Sequence, residues 1–230
     1  MVSWKAIREL FRARRAGASL GDLAVMKFAM LAGPSADHDA RLRSRGLGAL
    51  DIDITALRAL PDATVGREYA RFLDERGLSP LAISPEMKER FADNPYALRY
   101  TTTHDLFHLL TGFPTTPAGE MGLFAFMIAQ GFAGGSRSRL WFSAGSYLLF
   151  MPLHTPGLLR NVRLGLSMGE KARPLLEEPL EAYLTEPLDV VRRRLELPDP
   201  ATAGIAPGHE SLLSRWLLPN PAPKPAASSA

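Results

Sequence analysis

Two histidines and two carboxylates stand close together near the middle of the chain. His104 and His108 are four residues apart, Asp105 follows the first histidine directly, and Glu120 comes twelve residues after the second. On a helix, residues four apart lie on one face about one turn apart, so a single metal ion can bridge the two imidazoles. Asp105 is offset by about 100° around the helix and can flank the same face. These residues predict a four-ligand nitrogen and oxygen site that suits zinc, iron, manganese or cobalt.

The same residues also have ordinary structural interpretations, which the sequence leaves open. A histidine pair at this spacing is often exposed, Thr102 and Asp105 resemble a capping box, and Glu120 near a helix N-terminus is stabilised by the helix dipole. The metal interpretation is favoured because a helix that is apolar nearly all round is buried, and buried polar groups need partners. The neighbours of the histidines are strongly apolar: Leu106, Phe107, Leu109 and Leu110.

Two other metal motifs fit this segment less well. Metalloproteases of the H-E-x-x-H type place glutamate after the first histidine, where this chain has Asp105, so a peptidase is not expected. Phosphohydrolases with a His-Asp doublet need a further upstream histidine and a downstream aspartate. His38 and Asp189 could take those roles, but nothing in the surrounding sequence supports them.

Helix signals are frequent along the chain and strand signals are scarce. Capping residues followed by proline begin helices at Ser84, Asn94 and Thr116, and Gly112 ends the helix that carries the histidines. The turn after Gly112 predicts a helical hairpin that brings Glu120 back against the histidines. Together these signals predict an all-α, single-domain helical bundle with an apolar interior that accommodates a lipid. Further helices are expected over residues 20–31, 64–76, 139–150, 157–171, 185–195 and 211–218.

Composition limits the class of protein. The chain has 230 residues, 46% of them hydrophobic, which is enough for one sizeable core. Cysteine is absent, so thiolate ligands and disulfides are excluded. The net charge of +3 is far below that of a dedicated nucleic-acid binder, so no nucleic-acid partner is expected. Two apolar stretches, 121–132 and 140–153, are too short to span a membrane and are either core helices or the lining of a lipid slot.

The two ends of the chain differ from the central domain, which we place at residues 19–197. Residues 1–18 predict a basic amphipathic helix, with Trp4 and Phe11 on its apolar face. Such a helix can lie in an anionic lipid interface, cover the core, or serve as a mitochondrial transit segment. Residues 198–230 are rich in proline, alanine, glycine and serine, and we expect a largely disordered tail.

Three ordered blocks of the sequence carry a family resemblance. LPDATVGREYARFL, residues 60–73, matches the pattern L-P-x-x-T-x-G-x-x-Y-x-x-F-L. The candidate metal ligands match H-D-x-x-H-x(11)-E, and the hairpin HLLTGFPTTPAGE matches L-x-G-x-P-T-x-x-x-G-E. GLSMGEKARPLL, residues 165–176, matches G-x-x-x-G-x-x-A-[KR]-P-L. These blocks resemble the ubiquinone (coenzyme Q) biosynthesis protein four family over roughly residues 20–195.

The resemblance implies an all-α fold and a divalent metal, usually zinc, on His104, Asp105, His108 and Glu120. It implies action on a polyprenyl-hydroxybenzoate, whose ring carboxylate at carbon one is replaced by hydroxyl through decarboxylation with hydroxylation. It further implies contact with an isoprenoid lipid, a membrane surface and other quinone-biosynthesis enzymes, and we also expect a homodimer. The short segment ahead of the domain favours a bacterial member on the cytoplasmic face of the inner membrane; a eukaryotic member would lie on the matrix side of the mitochondrial inner membrane.

Two functions from different classes follow from this resemblance. The favoured one is an enzyme, a carboxy-lyase or oxidative decarboxylase; the other is a non-catalytic lipid-binding scaffold that organises quinone-biosynthesis enzymes. Zinc cannot change its oxidation state, so oxygen chemistry would need iron or manganese, or direct reaction of an intermediate with oxygen. No general acid or base stands out. Arg99 and Arg173 are candidates to bind a substrate carboxylate or lipid phosphate, or else are solvated surface arginines.

Overall fold

The computed structural model describes residues 4–32, 36–131, 140 and 155–208, and within these ranges the chain forms helices and no strand. A 3-10 turn, Leu175–Glu177, and one antiparallel bridge between Thr64 and Pro187 complete the regular structure of these ranges. The prediction of an all-α, single-domain fold is confirmed.

In chain order the helices are α1 (Trp4–Arg15), α2 (Leu20–Ala32), α3 (Ala36–Ser44), α4 (Ile54–Arg58), α5 (Val65–Arg76), α6 (Pro85–Arg90), α7 (Pro95–Thr111), α8 (Pro117–Ala129), α9 (Thr155–Lys171), α10 (Leu180–Tyr183) and α11 (Leu188–Arg194).

Helix α7 lies at the centre of the bundle, and 14 of its 17 residues are buried. Helices α2, α3, α5 and α8 pack against it. Asn94 caps its N-terminus by accepting from the backbone N–H of Ala97, and Gly112 ends it in the left-handed conformation. Three consecutive threonines, poor helix formers, are tolerated inside it because each hydroxyl donates to a carbonyl three or four residues earlier. The threonines are Thr101, Thr102 and Thr103.

Helices α8 and α9 cross with their backbones in close contact. A Cβ atom at Gly165 would overlap the carbonyl of Gly122, and one at Gly169 would overlap the carbonyl of Phe126. The close packing of the two helices therefore requires glycine at both positions of α9, because any larger residue would collide with the backbone of α8. This crossing fixes α8, the helix that carries Glu120, against the body of the domain.

Arg99 anchors α7 to the segment that follows α9. Its guanidinium is fully buried and donates to the carbonyls of Leu176 and Glu178 at 2.8 and 2.7 Å. It also forms a two-point ion pair with Glu181, the shorter contact being 2.6 Å. These bonds occupy the donors of a buried cation, which is the condition for burying an arginine.

Helix α1 lies on the surface and has no buried residue. It rests on α2 through the partly buried Leu10 and Ala13. Trp4 and Phe11 are 75% and 58% exposed, and Leu20 at the start of α2 is 53% exposed. In the described ranges these three are the large hydrophobic side chains that face solvent. No helix of these ranges is long and apolar enough to cross a membrane.

Two parts of the sequence-based prediction differ from the structure. Helix α3 was not predicted because it lacks an apolar stripe, its buried side chains described being Asp39 and Leu42. Helix α10 was not predicted because its four residues are too few to show a helical period. Residues 198–208, assigned to the tail, instead pack on the domain. Asn161 of α9 exchanges hydrogen bonds with the backbone of Ala206 at 2.8 and 3.0 Å. The expected helices over 139–150 and 211–218, apart from Leu140, and the remaining tail lie outside the described residues.

Candidate metal centre

The hairpin between α7 and α8 brings the predicted site residues together. Gly112 reverses the chain with a φ of 81°, and Thr116 caps α8 by accepting from the backbone N–H of Gly119. Gly119 lies directly against the carbonyl of Pro114, so a side chain there would push α8 away from the turn. The close approach places Glu120, in the first turn of α8, against the last two turns of α7.

Three of the four predicted ligands converge at this point. His104, His108 and Glu120 offer one donor atom each, and these atoms all lie within 4.8 Å of one another. Glu120 Oε1 is 3.1 Å from His108 Nε2, and Glu120 Oε2 is 3.6 Å from His104 Nε2. Donor atoms around a tetrahedral zinc ion, with bonds of about 2.0–2.1 Å, lie about 3.3 Å apart. The two separations that involve Glu120 are close to that spacing, and the two histidine donors lie within 4.8 Å of each other.

The ring of His108 is held in one orientation. Its Nδ1 lies 2.9 Å from the carbonyl oxygen of Phe113, so Nδ1 carries the proton and donates it to the turn. In the neutral ring Nε2 then has a lone pair directed at the Glu120 carboxylate. The two atoms are 3.1 Å apart, close enough to form an ion pair when Nε2 is protonated, and Nε2 is otherwise a buried nitrogen without a further partner in the described structure.

The charges of His108 and Glu120 favour a positive charge between the two side chains. Burial lowers the pKa of His108, but the nearby Glu120 carboxylate more than reverses this and raises it above the ordinary value. Burial raises the pKa of Glu120, but His108 outweighs it and holds the carboxyl well below its usual range. A proton on Nε2 satisfies this demand, and so does a divalent metal ion.

The residues present therefore fit a metal ion. Two imidazole nitrogens and one carboxylate oxygen occur in catalytic zinc sites and also in non-haem iron sites, where the remaining positions stay open. The Glu120 side chain is 36% exposed whereas His108 is completely buried. The centre is thus partly exposed to solvent on the side of Glu120.

Asp105 does not join this group. Its Oδ1 is 3.5 Å from Nδ1 of His104, the nitrogen on the opposite side of the ring from Glu120. The donor atoms of the other three residues converge without it, and the role of Asp105 as a fourth ligand stays a prediction.

Helix α2 supplies one wall of the centre, which the sequence did not indicate. The ring of Phe28 stacks on His104 with centroids 5.5 Å apart and meets Tyr100 edge-on at 4.5 Å. Lys27, which is exposed, contributes positive charge that helps to hold the pKa of Glu120 down. Neither residue belongs to a local motif, and both reach the site only through the packing of α2 on α7.

The two predicted substrate-binding arginines lie elsewhere. Arg99 is buried with its donors engaged by carbonyls and Glu181, so the expectation of a substrate-binding or solvated arginine does not fit its position. Arg173 is 49% exposed and pairs with Glu178 at 3.1 Å. Its carbonyl accepts from Gln130, ten residues beyond Glu120 on α8, or about 15 Å along the helix. The structure does not bring either arginine to the metal centre.

Fold and site together define an all-α protein with a candidate centre of two histidines and one carboxylate at a helical hairpin. Residues 18–201 match the family described as coenzyme Q (ubiquinone) biosynthesis protein Coq4. The chain belongs to this family, and the resemblance seen in its sequence is confirmed.

Named relatives agree with this assignment. The chain is 32% identical over 164 residues to the ubiquinone biosynthesis protein COQ4 homolog, mitochondrial, of Danio rerio, covering 67% of this chain and 57% of that protein. It is 32% identical over 186 residues to the homolog of the same name from Nematostella vectensis, covering 75% and 84%. The chain therefore spans little more than half the length of the Danio rerio relative.

A solved structure shares the fold. It is a crystal structure from Nostoc punctiforme of a protein to which ubiquinone biosynthesis is ascribed. The TM-score is 0.56 at 21% sequence identity, and the match covers 83% of this chain and 93% of that one. At this identity the likeness extends to the arrangement of helices.

Proposed function

We propose that this chain is a metal-dependent enzyme of ubiquinone biosynthesis that exchanges the ring carboxylate at carbon one of a polyprenyl-hydroxybenzoate for hydroxyl. Membership of the Coq4 family supports the pathway. The observation that carries the enzymatic role is the incomplete donor set: three protein donors converge at an edge that solvent reaches. Catalytic metal sites keep such an open position, whereas structural sites are closed by four protein ligands.

The proposed reaction has a definite balance of atoms and electrons. The bond between the ring and its carboxyl carbon breaks, carbon dioxide leaves, and a carbon–oxygen bond forms at the same ring position. The ring loses two electrons, which dioxygen accepts; with water as the oxygen source, the other product is hydrogen peroxide. The family resemblance favours zinc, and a two-histidine, one-carboxylate set also suits iron and, less distinctively, manganese.

Each residue of the centre has a defined part in this proposal. His104, His108 and Glu120 would hold the ion, which supplies a Lewis acid for the phenolate or carboxylate of the substrate. Glu120 offsets one positive charge of the ion, and Lys27 adds positive charge where an anionic substrate would approach. Phe28 stacks on the His104 ring and keeps it in place.

The exposed surface of α1 supports the further proposal that the protein binds to an anionic membrane. The helix has five basic residues and one acidic residue, Glu9, which pairs with Arg90 at 2.8 Å. Trp4 and Phe11 lie two turns apart, so both can insert on one face while the basic residues meet lipid phosphates. The lipid slot for the polyprenyl tail, the contact with other quinone-biosynthesis enzymes and the homodimer stay predictions.

Turnover by purified protein tests the enzymatic role. Chain stripped with a chelator is reloaded with zinc, iron(II) or manganese(II) in separate samples, and is given a polyprenyl-hydroxybenzoate in air. We expect release of carbon dioxide and formation of the hydroxylated ring with one of the metals, and neither with Glu120→Gln. Asp93→Asn, a change of the same kind at a fully exposed carboxylate, is the control. Lipid binding without turnover under all three metals contradicts the proposal and favours the scaffold.

A further inference from the structure

Residues 198–208, which we call the C-terminal clamp, pack on the turn between α7 and α8. Gly112, the residue that ends α7, touches the clamp directly: a Cβ atom there would overlap the ring of Pro200 and lie 3.2 Å from Cδ1 of Ile205. Gly112 has a φ of 81°, a left-handed conformation that glycine adopts without strain. Glycine at this position therefore both ends the helix and lets the clamp approach the turn.

Thr116 joins the other end of the turn to the clamp. Its hydroxyl donates to the carbonyl oxygen of Pro207 over 3.0 Å, and the same oxygen atom accepts from the backbone N–H of Gly119 to cap α8. Gly208 lies so close to this threonine that a Cβ atom would overlap the hydroxyl. The clamp therefore contacts the residue before α8 as well as the residue after α7.

A buried amide on α9 completes the link. Asn161 is fully buried, and its Nδ2 donates to the carbonyl oxygens of Ala118 and Ala206 over 3.1 and 3.0 Å. Its Oδ1 accepts from the backbone N–H of Ala206 over 2.8 Å. Both amide protons are used, which fixes the orientation of the side chain. Ala118 lies in the first turn of α8, two residues before Glu120, so the amide ties that turn to the clamp and to α9.

The end of α7 is held from the same part of the chain. Arg192 on α11 donates to the carbonyl oxygens of Leu109 and Leu110 over 2.8 and 3.1 Å. Carbonyls in the last turn of a helix have no partner within the helix. These two directly follow His108, so the C-terminal part of the chain holds the α7 end of the hairpin through Arg192 and the α8 end through the clamp.

The contacts of the clamp are concentrated on the hairpin. In the described part of the chain, its hydrogen bonds to the rest of the domain go to Thr116 and Asn161. The donors of the metal centre come from both helices of this hairpin, with Glu120 Oε1 3.1 Å from His108 Nε2. A metal site tolerates deviations of only about 0.2 Å in its bond lengths. A shift of the start of α8 would therefore move Glu120 relative to the histidines and weaken the site.

We infer that Asn161 and the C-terminal clamp position the metal centre by fixing the start of α8 relative to the end of α7. Asn161 is a positioning residue, which acts on Glu120 through the backbone of Ala118. The inference rests on the proposed metal centre. It has a reciprocal consequence, because two coupled equilibria change each other by the same factor. If the closed clamp strengthens metal binding, bound metal must make opening of the clamp rarer.

Zinc affinity tests the effect of the clamp on the metal. The full chain is titrated with zinc against a competing chelator at 25 °C. Asn161→Ala removes the three hydrogen bonds of the amide and should lower the affinity by about 2–30-fold, the range expected for residues that act on a site through its surroundings. Ile205→Ala, which shortens a clamp side chain that lies against Gly112, should lower the affinity in the same direction.

Leu57→Ala is the matched control. Leu57 is a buried side chain of α4 that lies against Gly66 of α5, and its truncation should lower the melting temperature without changing zinc affinity. This control separates a loss of stability from a loss of position. Far-ultraviolet circular dichroism confirms that each variant is folded at 25 °C. If Asn161→Ala is unfolded, Ile205→Ala and hydrogen exchange in the wild type take its place.

Hydrogen exchange of the wild-type chain tests the effect of the metal on the clamp and needs no variant. The backbone N–H of Ala206 is bonded to Asn161, so exchange of the peptide that contains it reports opening of the clamp. We expect this exchange to slow by about 2–30-fold when zinc is bound, the same range as the change in affinity. The peptide that contains α4 is the internal control and should slow less.

Two results would overturn the inference while leaving the metal centre in place. One is a zinc affinity of Asn161→Ala equal to that of Leu57→Ala, and the other is exchange at Ala206 that bound zinc does not slow. If iron(II) or manganese(II) binds and zinc does not, that metal replaces zinc in the same measurements. Failure of the wild-type chain to bind any of the three would instead remove the proposed metal centre, and this inference with it. The wild-type titration thus separates the two failures.

Discussion

The carbonyl oxygen of Phe113 accepts a hydrogen bond from Nδ1 of His108 over 2.9 Å. The turn that joins α7 to α8 therefore does two things: it returns Glu120 to the histidines, and it fixes the orientation of one of them. Because the backbone makes this bond, the geometry of the centre depends on the conformation of the hairpin as much as on the identity of its ligands. Changes in the hairpin and changes in the ligands should therefore each weaken metal binding.

His108→Ala should remove tight metal binding while most of the helicity is kept. The variant leaves two donors, so the loss of affinity should exceed the roughly 10–100-fold expected for a residue that only orients a ligand. The fold is expected to survive because α7 buries 14 residues, of which His108 is one. Zinc titration and far-ultraviolet circular dichroism measure the two effects. Full zinc affinity in the variant would exclude His108 as a ligand.

Gly119→Ala should weaken metal binding without changing any donor. The added Cβ would overlap the carbonyl of Pro114, and the start of α8 must move to relieve the contact, which displaces Glu120. We expect weaker zinc binding together with a lower melting temperature. Gly48→Ala is the matched control, because nothing lies within 4 Å of a Cβ at that position. Equal zinc affinities in the two variants would show that the hairpin does not set the position of Glu120.

Gly165→Ala should destabilise the domain through the crossing of α8 and α9. Its Cβ would meet the carbonyl of Gly122, which is backbone and cannot rotate away. Overpacking of this kind costs about 1–3 kcal/mol, which corresponds to a fall in melting temperature of roughly 2–12 °C for a domain of this size. Thermal unfolding followed by circular dichroism measures it. A melting temperature equal to that of the wild type would contradict the close helix crossing.

The Arg99–Glu181 pair should make stability depend on pH in the acidic range. Burial raises the pKa of Glu181, but the hydrogen bond from Arg99 outweighs it, and the folded-state pKa lies below the ordinary value of 4.5. The stabilisation is therefore fully present above about pH 4.5 and is lost as the pH falls through the folded-state pKa. Glu181→Gln should be less stable than the wild type at pH 7, with a difference that shrinks below pH 4.5. Urea unfolding across pH 3–7 measures this, and a difference that is constant with pH would refute it.

The apolar face of α1 should control binding to anionic vesicles. Replacing Trp4 and Phe11 together by alanine removes large apolar groups that are 75% and 58% exposed in the free protein. We expect the double variant to partition onto the vesicles at least about tenfold less than the wild type. Binding of the wild type should weaken as salt is added, since each basic residue near the membrane surface contributes about 1 kcal/mol. Vesicle sedimentation with phosphatidylglycerol, and with phosphatidylcholine as the control, measures this. Unchanged binding at low salt would show that α1 does not contact the membrane.

Local signals were sufficient to predict the hairpin and the face that carries the histidines. Asn94-Pro95, Gly112 and Thr116-Pro117 each have a backbone role that depends on the residue itself and its immediate neighbours, and the structure shows those roles. Helix periodicity also placed His104 and His108 together. Such features need no knowledge of the rest of the chain.

Features that depend on packing between distant segments were not predictable in the same way. Arg99 is buried because the carbonyls of Leu176 and Glu178 lie above it, and nothing in the local sequence indicates them. Phe28 reaches His104 only because α2 packs on α7. Asp105 lies 3.5 Å from Nδ1 of His104, next to it on the helix, and its role as a ligand stays a prediction.

The metal content of the purified chain tests the central claim most directly. Wild-type protein, Glu120→Gln and Asp93→Asn are prepared side by side, offered zinc, iron(II) and manganese(II), desalted and analysed by mass spectrometry for bound metal. The account predicts about one equivalent of a single metal in the wild type and in Asp93→Asn, and a large loss in Glu120→Gln with its helicity retained. Folded wild-type protein that holds no metal, or Glu120→Gln that holds a full equivalent, would contradict it.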